Sequence, residues 1–178
     1  MKKNYALLFA LFFTYAVSAQ SSCAAALEIT SGSHSMGIVD GSGPTLYCVT
    51  SGTATAALWY KYIPTEDYSV TVTTDLPINN GKDTRFHVYS GTCASLVCVA
   101  GDDDSGSGFL SVANFNVTAG TTYIIAFDNR WLTLANNVTF QLIENAPAEP
   151  EIPVEQIAVP VSFTTQVVSI LGTYKNGV

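Results

Sequence analysis

The stretch Tyr68-Ser69-Val70-Thr71-Val72-Thr73-Thr74 alternates apolar with hydroxyl-bearing residues, which predicts a β-strand with one face turned to a core. Ala113, Phe115 and Val117 alternate with Asn114 and Asn116 in the same way, and Tyr123, Ile125 and Phe127 form a third stripe of period two. In a further run Leu58, Tyr60 and Tyr62 share one side while Trp59, Lys61 and Ile63 share the other, so both faces of that strand carry aromatic rings, most economically for core packing. Turn signals separate these runs: Gly41-Ser42-Gly43-Pro44, Asn79-Asn80-Gly81-Lys82, Ser90-Gly91-Thr92, residues 101–108, and Ala119-Gly120. No helical period appears beyond the first nineteen residues. The pattern predicts an all-β fold over residues 20–143, an antiparallel β-sandwich of jelly-roll-like type.

The flanks have a different texture. Residues 1–19 carry Lys2 and Lys3, then an apolar stretch through Val17, then small residues to Ala19, the pattern of a cleaved export signal. Its apolar part is too short for a comfortable membrane span, and the mature chain is expected to have no transmembrane segment. Residues 144–160 gather four of the seven prolines and four of the fourteen acidic residues, which predicts an extended linker. Residues 161–178 return to strand-like composition but are too few to bury a core. They are expected to begin a further domain of the same gene product, or to form a truncated tail.

Export changes the charge. Cleavage after Ala19 leaves five basic against fourteen acidic residues, a net charge of −9 with neutral histidine. Nucleic acid and anionic lipid demand a cationic face, so neither is expected as a partner. Neutral glycans or other surface polymers suit such a chain better. The four cysteines, Cys23, Cys48, Cys93 and Cys98, all lie in the exported part, where an even count predicts disulfides. A hairpin can bring Cys93 and Cys98 into register, so the spacing favours Cys93 with Cys98 and Cys23 with Cys48. The tighter C-x-x-C pairs of zinc sites do not occur.

The segment GDDDSGSG, residues 101–108, admits two readings: a solvated turn, or a cation cradle. In an extended chain Asp102 and Asp104 would project to one side and Asp103 to the other, with Gly106 and Gly108 letting carbonyls turn inward. Calcium, with about six to eight oxygen ligands and no strict geometry, suits such a loop, with Asp83 and Asp128 as further ligands. The spacing is not that of an EF-hand, since Ser107 and Ala113 stand where glycine and glutamate are needed. A second candidate is Asn129-Arg130-Trp131. A ring flanked by amide, guanidinium and carboxylate groups offers a sugar an apolar platform with oriented hydrogen bonds. The plainer alternative makes Trp131 a lid on the core with Arg130 paired to an aspartate. His34 falls in a Ser/Gly-rich loop and His87 at a strand position facing solvent, and neither H-E-x-x-H nor G-x-S-x-G occurs, so no catalysis is signalled.

The runs LWYKYIPTEDYSVTVTT, DTRFHVYSGTCASLVCVAGDDDSG and NFNVTAGTTYIIAFDNRW resemble β-sandwich modules near the start of large secreted proteins of Bacteroidetes-type bacteria, akin to bacterial pre-peptidase C-terminal domains. The resemblance spans about residues 23–143. It implies a non-catalytic appendage that aids binding to a substrate or surface, with Trp59 buried and with Asp83, Asp102, Asp103 and Asp104 at strand ends where a cation would be sought. It also implies an alternative, an accessory domain of a secreted hydrolase or peptidase whose catalytic domain lies beyond residue 178. The final residues, PVSFTTQVVSILGTYKNGV, resemble the lead into an FG-GAP or VCBS-type repeat domain. The combined expectation is a secreted or cell-surface binding or spacer module with structural Ca2+, not an enzyme.

Overall fold

The computed structural model describes residues 20–49, 52–132 and 137–145. Residues 1–19, expected as an export signal, residues 146–160 of the expected linker and the segment 161–178 lie outside the described residues. The chain divides into Met1–Pro147 and Ala148–Val178, and every described residue belongs to the first unit.

Among the described residues ten strands form two sheets: β1 (Leu27–Ile29), β2 (Gly32–Ser35), β3 (Gly41–Ser42), β4 (Ala56–Tyr62), β5 (Tyr68–Thr73), β6 (Phe86–Thr92), β7 (Ser95–Asp102), β8 (Val112–Val117), β9 (Tyr123–Asp128) and β10 (Thr139–Asn145). The first sheet runs β1-β4-β9-β6-β7, with β3 also on β4; the second runs β2-β10-β5-β8. The described helical structure consists of two short 3-10 turns, Cys23–Ala25 and Pro77–Asn79. The chain is therefore an all-β sandwich. One pairing departs from the antiparallel expectation: β1 runs parallel to β4, Leu27 opposite Tyr60.

Alternation places the core. Val70 and Val72 of β5, Ala113, Phe115 and Val117 of β8, and Phe140 and Leu142 of β10 meet Leu58, Tyr60, Tyr62, Val88, Ile125 and Phe127 from the first sheet. Phe127, Phe140 and Tyr60 pack as a ring cluster with centroids 4.6–5.9 Å apart, within the range at which aromatic pairs attract. Strand β10 runs two residues past Ile143: Glu144 pairs with Val70 and Asn145 with Ser69. The Tyr62 hydroxyl also donates to Glu144 Oε1 at 2.8 Å. Glu144 and Asn145 thus belong to the sandwich rather than to the spacer.

The inner strands of the first sheet, β4, β9 and the first half of β6, are buried on both faces, which one-sided alternation does not reveal. Strand β9 is buried at every position. Its even-numbered residues Ile124 and Ala126 join Ala57, Trp59 and Tyr89 in a second cluster, covered by Cys23, Ala26, Cys48 and Leu96. Trp59 donates from Nε1 to Ser42 O at 2.7 Å, and Tyr89 from its hydroxyl to Leu46 O at 2.5 Å, so both rings satisfy their polar tips under this cover.

Two disulfides hold the cover in place, and their pairing corrects the expectation. Cys23 bonds Cys93 and Cys48 bonds Cys98. The reason lies in the hairpin register. Thr92 pairs with Ser95, so Cys93 sits in the two-residue turn, while Cys98 lies down β7 opposite Tyr89. The two cysteines are never cross-strand neighbours. Ser90-Gly91-Thr92, expected as a turn, is the end of β6, and Gly91 is suited to its place twice over, by a positive φ of 91° and by the Ser95 carbonyl, which leaves no room for a β-carbon.

Candidate metal centre

Residue 83 is positioned by the turn before it. Buried Asn79 donates from Nδ2 to Thr74 O and Thr139 O, both at 2.6 Å, and accepts from Thr139 N at 3.0 Å, which ties the 3-10 turn to the end of β5 and the start of β10. The chain then reverses at Gly81 and brings Asp83 into a bridge with Phe109. Thr84 N donates to Phe109 O at 3.0 Å. Loop 103–108 is thereby fixed beside residue 83.

The three consecutive aspartates separate by role. Strand geometry ends at Asp102, whose carboxylate accepts from Ser105 N (3.0 Å), Ser105 Oγ (2.5 Å) and Val112 N (2.7 Å). This turn closure bends the following residues, so the extended arrangement of Asp102 with Asp104 does not form. Instead one carboxylate oxygen each from Asp83, Asp103 and Asp104 lies within 4.8 Å of the others. Underneath, Ser111 Oγ lies 2.5 Å from Thr84 O and 2.7 Å from Asp103 O, its one proton shared between the two carbonyls, and Thr84 Oγ1 and Thr74 Oγ1 complete a buried hydroxyl network. The backbone carrying Asp103 is thus fastened to the core.

The electrostatics are those of an unbalanced anionic cluster. Burial, then Asp104 and Asp103, push the Asp83 carboxyl above the usual carboxylate value. The Asp104 carboxyl is also raised, by desolvation and then by Asp103 and Asp102. Asp83 Oδ1 is buried with no hydrogen-bond partner. A desolvated oxygen without a donor is costly, and a cation is one group that removes that cost. Calcium binds oxygens at about 2.3–2.6 Å, so its ligands lie up to about 5 Å apart, which the observed spacing satisfies. The donor set is all oxygen and therefore fits a hard cation; Asp83, Asp103 and Asp104 would supply three ligands.

Asp128, expected as a further ligand, is committed elsewhere. It is fully buried on the covered face of the first sheet, where its Oδ2 accepts from Arg85 Nε (2.9 Å) and His87 Nε2 (2.9 Å) with Arg85 Nη2 in ion-pair contact at 2.7 Å, and its Oδ1 accepts from Arg130 N (2.9 Å). Strand register explains the pairing: Phe86 stands opposite Phe127, so Arg85 and Asp128 are cross-strand neighbours. His87 does not face solvent as expected. Its Nδ1 accepts from Cys48 N at 3.3 Å, which leaves the proton on Nε2 to be donated to Asp128. His34, expected in a loop, lies in β2 opposite Phe140. The sequence did carry a signal for the buried pair, opposite charges at matching ends of two apolar runs, Arg85-Phe86 and Phe127-Asp128.

Residues 129–131 divide likewise. Asn129 Oδ1 accepts from Thr55 N and Ala56 N, each at 3.0 Å, and Nδ2 donates to Thr55 Oγ1 at 2.9 Å, so its amide organises the chain entering β4. Trp131 is 44% exposed, and the Arg130 guanidinium lies over its ring, 4.5 Å from the centroid. The side-chain guanidinium seen on the Asp128 carboxylate is that of Arg85.

No protein-family model matches this chain. A search among curated proteins likewise gives no match. Among solved structures, a 1.0 Å crystal structure of the pre-peptidase C-terminal domain of a collagenase from Bacillus anthracis is similar over 67% of this chain and 93% of that one, at 14% identity and a TM-score of 0.37. The fold assignment rests on this chain's own strand pairing.

Proposed function

We propose that the chain is an exported, non-catalytic binding or spacer module in which a structural calcium ion ties loop 103–108 to Asp83, and whose ligand is a glycan or similar surface polymer. One observation carries this reading: Asp83 Oδ1 is buried without a partner beside the carboxylates of Asp103 and Asp104. The ion would neutralise the cluster and fix the loop; it would have no part in bond making or breaking. The non-catalytic reading draws support from His87 and Asp128, whose ring and carboxylate are enclosed and spent on packing. Export draws support from the leader pattern and from two disulfides that pin exposed chain segments.

The test is a melt of the full chain in calcium and in chelator. A ligand that binds only the native state adds about 2.7 kcal/mol at one hundred times its Kd, so a clear rise in Tm is expected, absent in Asp83→Asn. A Tm unchanged up to millimolar calcium would return the loop to a plain solvated turn.

A further inference from the structure

The outer face of the second sheet has an unusual chemistry. Register sets its rows: Ser33 opposes Gln141; Ile143 opposes Thr71, which opposes Asn114; and Asn145 opposes Ser69, which opposes Asn116. Together with Ser35, Thr139 and Val112, every outward position exposed or half-exposed on these four strands is a hydroxyl, an amide or an aliphatic group. None is charged. A typical protein surface is about 25–35% charged, and a chain with fourteen acidic residues has charge to place. Among the described residues the acidic ones lie off this outward face: on loops, on the first sheet, and, for Glu144, at a β10 position of the opposite parity that bonds Tyr62.

We infer that this face is the docking surface for a neutral polysaccharide. The inference rests on the glycan-binding reading above and assigns it a surface and a ligand class. Three features favour that occupant. An uncharged face on an acidic protein neither attracts a cationic partner nor repels a neutral one. The polar groups are held by one another: Gln141 Nε2 donates to Ser33 Oγ at 3.0 Å, Asn145 Nδ2 to Thr71 Oγ1 at 2.9 Å and to Ser69 Oγ at 3.3 Å, and Thr71 Oγ1 to Asn114 Oδ1. Side chains already ordered lose less entropy when a ligand arrives. Amides, which both donate and accept, are matched to sugar hydroxyls, which do the same, while Ile143, 40% exposed, offers a C–H face an apolar contact. At one end the face opens into a shallow cleft of about 510 Å³ bordered by Tyr68, Asn116, Thr118 and Asn145. Asp67 closes that end, its Oδ1 taking Ala119 N at 2.8 Å.

Affinity electrophoresis of the full chain through gels cast with neutral polysaccharides (xyloglucan, galactomannan, mixed-linkage β-glucan) or anionic ones (alginate, polygalacturonate) tests this. Retardation by at least one neutral polymer is expected, with binding about tenfold weaker in Asn114→Ala/Asn116→Ala and unchanged in Trp131→Ala. Both positions are exposed on an edge strand, and an unaltered melting curve separates lost contact from lost fold. A variant that melts early is replaced by Gln141→Ala, for which the same loss is expected. Binding that survives the face substitutions but fails in Trp131→Ala overturns this inference and spares the glycan reading. Preference for the anionic polymers overturns the neutral class. No retardation by any polymer overturns both.

Discussion

Asp83 and Asp128 show how one residue type takes opposite roles according to its neighbours. Asp128 is enclosed and balanced by Arg85 and His87, so Asp128→Asn would leave the buried guanidinium uncompensated. Breaking a buried pair by removing one partner costs about 3–5 kcal/mol, and denaturant unfolding of that variant should show a loss of this size. Asp83 has acidic company instead. The Asp83 and Asp104 carboxyls hold their protons to higher pH in the folded chain than in the unfolded one. Between the ordinary carboxylate value and the raised one the native state therefore carries more protons, so stability falls as pH rises through that window and is level above it. Tm measured in chelator should show this decline, and Asp83→Asn should flatten it. A calcium-loaded cluster would show less of it.

At the scale of elements, the hairpin of β6 and β7 organises the molecule, since both disulfides end on it. They span sequence separations of 70 and 50, and in the chain-entropy account a loop of the shorter length is worth about 4 kcal/mol. Cys48→Ser/Cys98→Ser should lose stability on that order. It should also release His87, whose Nδ1 is held by Cys48 N. Peptide mapping without reduction should recover Cys23 with Cys93 and Cys48 with Cys98. Strands β5 and β8 were legible in the sequence because their alternation reports a single buried face. The stripe of β9 was legible too, but the burial of its second face and of His87 was not, for a physical reason: period two assigns residues to faces but does not say whether the far face is later covered. Here the N-terminal segment and the loop carrying Cys48 cover it. Disulfide pairing was equally hidden, because it hangs on a turn register one residue finer than spacing can fix. Of the candidate site, Asp83, Asp103 and Asp104 could be named from sequence, while the turn-closing role of Asp102 follows from hydrogen bonds that only the folded loop creates.

For the molecule as a whole, the two sheets are used unequally. The first is buried on both sides along its inner strands and carries the staples, the buried ion pair and the second cluster; the second covers the core with one face and leaves the other uncharged. Mechanical load would feel this asymmetry. If the chain is held at its two ends and stretched, tension entering at Cys23 crosses to Cys93 through sulfur, and the intervening residues bear none of it. At most about 3.5 Å of contour is available per residue, so the oxidised protein should extend roughly 240 Å less on rupture than the same protein in reductant, a difference that a single-molecule pulling trace would display.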